Sequence, residues 1–402
     1  MAKSHQVPVG SGRPWYVVAA VVFAVGMAGT TLPTPLYGLY REEIGFSQFM
    51  ITVIFAVYAI GVITALLLAG NFSDVLGRRP VIFAALVLSM LSAVCFVFED
   101  GLPLLFVGRL LSGFAAGLLS GAATAAVTEL AEPAKRQRAA FTATAANMGG
   151  LGCGPLLSGV LAEYAPYPLR LPYLVHLGLL AGCVVLVAIL PESVERPVPR
   201  PPLRPQGMVV PARARAVFVP AALASFAGFS VLGLFTAVAP SFAAEYLGVD
   251  NLAAVGVMVL VVFLASTAGQ LLMERVGPVR ALPLGCAVLV VGLVLIGCAL
   301  LAESLEVLIA GAVVAGIGQG LSFRASVAEV ARVAPERQRG ATISALFVAA
   351  YVGISIPVVG VGALGAALGL RTAGIVFVGC VIVVSTAVGL HLARRPAPAE
   401  AT

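Results

Sequence analysis

The chain of 402 residues is 60% apolar and only 10% charged, whereas soluble domains carry about 25% charged residues. A soluble protein this apolar could not clothe its surface, so a polytopic membrane protein is expected. The formal charge of +6 suggests a nucleic-acid partner only until its distribution is followed along the chain.

About 20 apolar residues span a bilayer as a helix. Twelve runs qualify, at 15–38, 48–72, 79–98, 103–128, 140–163, 171–190, 216–243, 251–273, 281–301, 304–330, 340–363 and 370–393. Helices are the expected form, because lipid offers no partner to unpaired backbone groups. The short polar N-terminal tail leads straight into a full-length run, which reads as an uncleaved first helix rather than a signal peptide. With that tail inside, 20 of the 24 basic residues fall on the cytoplasmic side, while Arg41, Arg170 and Arg371 lie on outer loops and Arg109 within a span. This is the positive-inside pattern, and it puts both termini in the cytoplasm. The basic balance therefore reports topology, and no nucleic-acid partner is expected.

Span 1 ends Thr30-Thr31-Leu32-Pro33-Thr34-Pro35-Leu36-Tyr37, which breaks a helix near its outer end and offers hydroxyls toward a cavity. Between spans 2 and 3 lies Gly70-Asn71-Phe72-Ser73-Asp74-Val75-Leu76-Gly77-Arg78-Arg79. Gly70, Asp74 and Gly77 fall on one helix face, and the glycines let another helix approach closely. Asp74 can accept hydrogen bonds from an arginine or a helix N-terminus. In span 4, Arg109 is followed by Gly113 and Gly117; a charge inside a span costs about 2.5–3.5 kcal/mol on insertion scales and needs a purpose or a partner. Span 5 carries Gly150, Gly154, Pro155, Ser158 and Gly159, a smooth groove of small residues bent by a proline that lacks a backbone donor. His176 lies a short way into span 6 and titrates near neutrality; a hydrogen-bonded packing role is the favoured reading for it.

The segment 191–215 holds seven prolines and five arginines and can neither span lipid nor form a core, so it reads as an extended linker. It separates residues 1–190 from 216–402. An internal repeat supports the division: Glu129, Arg136, Gln137 and Arg138 match Glu329, Arg337, Gln338 and Arg339, and Pro155 matches Pro357. Glu274 and Gly277 echo Asp74 and Gly77, whereas Ile309 stands at the position equivalent to Arg109. Six spans separate equivalent points, so both halves enter from the same side, and the substrate site is expected between them near the midplane. Polar or aromatic residues at that depth are Thr31, Tyr58, Asn147, Phe226, Phe229, Gln319 and Tyr351.

The loop at 70–79 closely resembles the loop between the second and third helices of the major facilitator superfamily, and the span 4 pattern resembles that superfamily's span 4 motif, which sugar porters share. The span 5 pattern and the proline-containing end of span 1 resemble its twelve-span drug–proton antiporter branch. The resemblance implies an all-α membrane protein with the major facilitator fold, its twelve transmembrane helices forming two pseudo-symmetric six-helix bundles. It implies that Gly70, Asp74, Gly77, Arg78 and Arg79 form a cytoplasmic latch between halves in the outward-open state, joined by Glu129. Arg109 is implied in proton coupling, with Asp74 and His176 as further candidates, and the span 5 motif, which departs from the family pattern at Ser158, implies export. The expected function is proton-coupled export of hydrophobic drugs, antibiotics or a natural product across a bacterial inner membrane by a monomer. The acidic residue that many such antiporters carry in span 1 is missing, and no Asp or Glu sits centrally in any span. The alternatives are an importer of sugars or another metabolite, since Pro191-Glu192-Ser193 is similar to sugar porters, and a non-transporting receptor. No cofactor or metal is expected: the six cysteines lie inside spans without ligand spacing, and no catalytic constellation or P-loop occurs.

Overall fold

A computed structural model describes residues 14–194, 205 and 207–394. Twelve long helices replace the twelve predicted runs one for one: α1 Trp15–Thr31, α2 Gln48–Ala69, α3 Arg78–Val97, α4 Leu102–Glu129, α5 Arg136–Tyr164, α6 Leu171–Ile189, α7 Arg215–Ala237, α8 Leu252–Val276, α9 Pro278–Ala302, α10 Leu305–Val333, α11 Arg339–Leu368 and α12 Leu370–Ala393. Eleven of the spans are both long and apolar enough to cross a membrane. The exception is α5, which has 29 residues but spends many on glycine, threonine and asparagine. Large apolar side chains such as Ile60, Val185 and Val383 are more than half exposed, which is the outer surface a lipid-facing helix presents.

Two helices end earlier than their hydropathy predicts. The break at Pro33 and Pro35 stops α1 at Thr31; a short 3-10 turn, Thr34–Leu36, and a helix, Tyr37–Ile44, continue the chain to Gly45 at φ 79°. Likewise α7 stops at Ala237, and the chain re-enters a helix, Ala239–Leu247, with Pro240 in its first turn. Proline cannot donate to the preceding turn, so each break falls at the residues before it. The first helix of each half thus bends at the same end of the molecule.

Helices α1–α6 form one bundle and α7–α12 the other, joined along two seams, α5 on α8 and α2 on α11. Lipid supplies no hydrophobic force to drive such seams, so they depend on close backbone approach. The small residues of span 5 supply it on two sides. Gly150 and Gly154 lie against the Ala24 and Ala28 carbonyls of α1, and Gly159 lies against the Leu252 carbonyl of α8. In the second half Gly353 meets the Phe226 carbonyl of α7, while Gly362 meets Thr52 of α2. Each glycine helix therefore grips its own first helix and the opposite half's second helix, which is the internal repeat expressed as packing. We expect Gly154→Val to force α1 from α5 and lower the thermal midpoint in detergent; Ala substitution at Gly149, where an added Cβ meets nothing within 4 Å, should leave it unchanged. Equal midpoints for the two variants would contradict this account of the seam.

Of the linker, residues 195–204 and 206 lie outside the described residues. Its end returns to the second bundle, where the Thr342 hydroxyl donates to the Val209 carbonyl at 3.0 Å.

Candidate functional site: a central cavity and a charged loop

A cavity of about 420 Å³ lies between the bundles. Its lining draws on α1, α2, α4 and α5 from one half and on α7, α8, α10 and α11 from the other. On α4 the lining runs from Arg109 to Ala125, on α5 from Leu151 back to Ala143, and on α10 from Phe323 to Val327. It therefore extends from mid-helix toward the end that carries the 70–79 loop. At the other end the halves are tied together. The Leu252 amide donates to Glu163 Oε2 at 2.9 Å, Asn251 Nδ2 to the Tyr164 hydroxyl at 3.0 Å, and Gln48 Nε2 to Ser241 Oγ at 2.7 Å.

Aromatic rings close the middle. Tyr58 meets Tyr351 across the two halves at 6.2 Å in an edge contact, Phe229 lies 4.9 Å from Phe323, and Phe323 lies 5.5 Å from Phe347. Such edge-to-face contacts use the ring quadrupole. Arg109 sits among them, 1% exposed. Its Nη1 donates to the Thr30 carbonyl at 2.5 Å, and its guanidinium lies 4.7 Å from the Tyr58 ring centre and 5.5 Å from that of Phe55. It does not snorkel to the surface, and its Nε is buried without a partner.

Of the predicted cavity residues, Thr31, Tyr58, Asn147, Phe229 and Tyr351 do line the space. Gln319 and Phe226 do not. Gln319 is fully buried, accepts from Ser266 Oγ at 2.6 Å and presses on Gly228, so it joins α10 to α8 and α7. The carbonyl of Phe226 backs onto Gly353, in the seam between α7 and α11. His176 is buried against Gly29 of α1 with both ring nitrogens unpartnered; it faces a helix, lies outside the cavity lining, and lacks the hydrogen bond expected of it. Phe55, Gln270, Phe323, Phe347 and Arg324 are lining residues that the sequence reading missed. Arg324 had been assigned to the inner face with the other topological arginines. Its place five residues before Glu329, more than one helical turn inside the helix end, was the available signal.

The 70–79 loop forms a charged knot. Arg78 Nη1 reaches Asp74 Oδ1 at 2.6 Å and Ser73 Oγ at 2.6 Å, and Arg78 Nη2 reaches Glu129 Oε1 at 2.8 Å. Ser193 Oγ donates to Glu129 Oε2 at 2.6 Å. Glu192 accepts from the Arg78 and Arg79 amides at 2.8 and 3.3 Å, satisfying donors that a helix start leaves free. Arg79 donates to the Val187 and Ala188 carbonyls near the end of α6, where carbonyls lack partners. The residues Pro191-Glu192-Ser193 thus serve this knot. All of these partners lie in the first half or in the start of the linker that follows it. The contact that crosses halves here runs from Gln137 Nε2 to Glu274 Oε2, at 3.4 Å, and uses the worn copy of the loop.

At the opposite end, Glu99 lies half-buried in the turn between α3 and α4, facing Tyr40 and Tyr173 with Glu43 and Arg170 nearby. Desolvation pushes its carboxyl up to about 7; a backbone hydrogen bond and Arg170 oppose the rise, and Glu43 adds to it. A carboxyl that binds its proton more tightly when folded stabilises the fold below the ordinary carboxylate range, and that stability is lost as pH rises toward about 7. Glu99→Gln should therefore flatten the decline in thermal midpoint between about 4.5 and 7. An unchanged slope in that variant would remove Glu99 as its cause.

A cavity between two pseudo-symmetric six-helix bundles, with the halves hydrogen-bonded together at one end, is the architecture the chain adopts. The Major Facilitator Superfamily model matches residues 18–302 and 271–402, and the chain belongs to that superfamily. Among curated relatives, the class B tetracycline resistance protein of Escherichia coli is 31% identical over 144 residues, 36% of this chain and 35% of that protein. The multidrug resistance protein MdtL of Citrobacter koseri is 28% identical over 166 residues, 39% of this chain and 41% of the relative. The arabinose-proton symporter of Bacillus subtilis is 26% identical over 136 residues, 32% and 29% of the two chains. The chain thus spans well under half the length of these relatives in each match. A solved bacterial homologue of the human lysosomal transporter Spinster, described as inward-facing and unoccupied, superposes with a TM-score of 0.73 at 15% identity over 96% of this chain and 98% of that one. That likeness concerns the fold.

Proposed function

We propose that this transporter exports hydrophobic drugs, antibiotics or a natural product by alternating access, exchanging them for protons. The observation that carries the reading is the aromatic cavity around a buried arginine, shared between halves, closed at the Glu163 end and extended toward the basic end. With the basic end read as cytoplasmic, the cavity faces inward in this reading, and the protein is a multi-pass protein of the inner membrane. Residues 1–190 and 216–402 then act as the two rocking units, with 191–215 as their cytoplasmic connection. In this scheme the Asp74–Arg78–Glu129 knot is a latch waiting for its outward-open partner. Arg109 is the leading candidate for coupling, because it alone of Arg109, Asp74 and His176 lines the cavity. Partial likeness to tetracycline and multidrug resistance proteins supports the substrate class.

Sugar import is the second reading, favoured by the partial likeness to an arabinose-proton symporter. The cavity wall serves either cargo in part: seven rings suit an apolar body, and eight threonine, serine, asparagine and glutamine side chains could meet a polyol. The deciding experiment is accumulation of labelled lipophilic compounds and sugars in cells with and without the protein, with and without a protonophore. Lowered accumulation of lipophilic compounds that the protonophore abolishes is the expected result. Raised accumulation of a sugar would overturn the export reading.

A further inference from the structure

The cavity wall carries two guanidinium groups, Arg109 and Arg324, and no aspartate or glutamate. Arg109 is buried with one carbonyl partner and an unpartnered Nε. Arg324 makes no ion pair or side-chain hydrogen bond among the described residues, and it lies on the cavity wall in the last third of α10. Of the acids at that end, Glu129 holds Arg78 at 2.8 Å and Glu329 holds Arg332 through Oε2 at 2.6 Å, its Oε1 being buried without a partner. A buried cation without a counter-charge, as Arg109 is, is costly in a membrane interior, at about 2.5–3.5 kcal/mol on insertion scales.

We infer that the cavity is built for an amphipathic organic anion: an aromatic or otherwise apolar body carrying one acidic group, carboxylate or sulfonate. The inference rests on the reading of this cavity as the substrate site and narrows its cargo. A guanidinium presents donors in a planar fork that matches a carboxylate or sulfonate with paired charge-assisted bonds. The Phe229, Phe323, Phe347 and Tyr351 rings take the apolar body. A volume of about 420 Å³ suits a compound of ordinary drug size. A lipophilic cation, by contrast, would have to displace water from two like charges with no carboxylate to receive it. Arg324 belongs to the second half and Arg109 to the first. In the repeat register they stand roughly 22 Å apart along the bundle axis, so the acidic group pairs with Arg324 and the apolar body extends along the rings toward Arg109. The absence of a central acid, which leaves a cationic drug without a partner, becomes a specificity feature.

The test uses purified full-length protein and three fluorescent probes on one scaffold: pyrenebutyrate, its uncharged amide and the corresponding amine. The carboxylate should bind about tenfold or more tighter than the amide, the scale of a hydrogen bond to a charged group, and the amine should bind weakest. Arg324→Gln should lower the carboxylate-to-amide ratio by about tenfold, and Arg324→Lys should restore much of it. Amine binding as tight as carboxylate binding in the wild type overturns the proposal without any variant. So does failure of the carboxylate to bind, or a ratio unchanged by Arg324→Gln. Flux in inverted membrane vesicles separates this from the export reading. Preferential carboxylate binding with no export of any probe refutes export and leaves the anion site standing. Export of the amine or amide in preference to the carboxylate refutes the anion site and leaves export standing.

Discussion

Arg109→Leu is expected to lower transport by about 10- to 100-fold, the equivalent of a lost hydrogen bond to a charged group, without lowering the thermal midpoint of the purified protein. The two halves of this expectation come from the same geometry. Arg109 is 1% exposed and has a single hydrogen-bond acceptor, the Thr30 carbonyl, with Tyr58 and Phe55 lending their ring faces. A buried cation with so few partners does not recover its desolvation cost, so an apolar isostere should leave the fold as stable or make it more so. Groups of that kind persist where function needs them, and stability is exchanged for activity. Parallel measurement of flux in proteoliposomes and thermal midpoint in detergent decides the matter. A midpoint that collapses together with flux would make Arg109 a structural residue. Full flux in Arg109→Leu would remove it from both binding and coupling. Arg109→Lys is a useful control, because the ammonium keeps the charge but loses the planar fork; partial activity is expected.

The twelve spans were legible because bilayer thickness imposes a length that hydropathy reports directly. The repeat was legible because its markers are charged or are prolines, residues that an apolar background makes conspicuous. Span 5 was read from the same apolar pattern at 140–163, although α5, with its glycines, threonines and asparagine, falls short of a membrane span by apolarity. Side-chain direction was much less legible. In a soluble helix the polar face tells solvent from core, but in lipid both faces are apolar, and the moment that would orient the helix vanishes. Gln319 and Phe226 were placed at the right depth and on the wrong side: Gln319 holds Ser266 inside its own half, and Phe226 backs onto Gly353. Arg324 was misassigned for a related reason. A rule that counts arginines near helix ends cannot distinguish one that anchors a loop from one that enters a cavity a turn deeper. Nor could the sequence reveal that Glu192 and Ser193 serve the charged loop, because folding alone brings those segments together: Glu192 lies 114 positions from Arg78, and Ser193 lies 64 from Glu129.

Asp74→Asn is expected to abolish most transport while leaving protein in the membrane with its thermal midpoint intact. In the state described here Asp74 is 63% exposed and bonds Arg78, and an ion pair so accessible contributes about 0–1 kcal/mol. Arg78 retains Glu129 and Ser73 when Asp74 loses its charge, so the first half keeps its knot. Any large loss of function must therefore come from the other conformational state, in which the two halves approach at this end. A change that penalises only that state shifts the equilibrium by its own differential energy, and the carrier stalls with its cavity toward the basic end. Arg78→Gln should behave differently. It strips both Glu129 and Asp74 of their counter-charge, so the midpoint should fall along with transport. Cysteine-accessibility labelling at Thr124, on the cavity wall, reads the population: labelling from the basic end should rise in Asp74→Asn relative to wild type. Wild-type flux in that variant would refute the latch. Lost flux with unchanged labelling would place the fault in a step other than closure, because a carrier able to seal this end as often as the wild type has kept whatever Asp74 was holding.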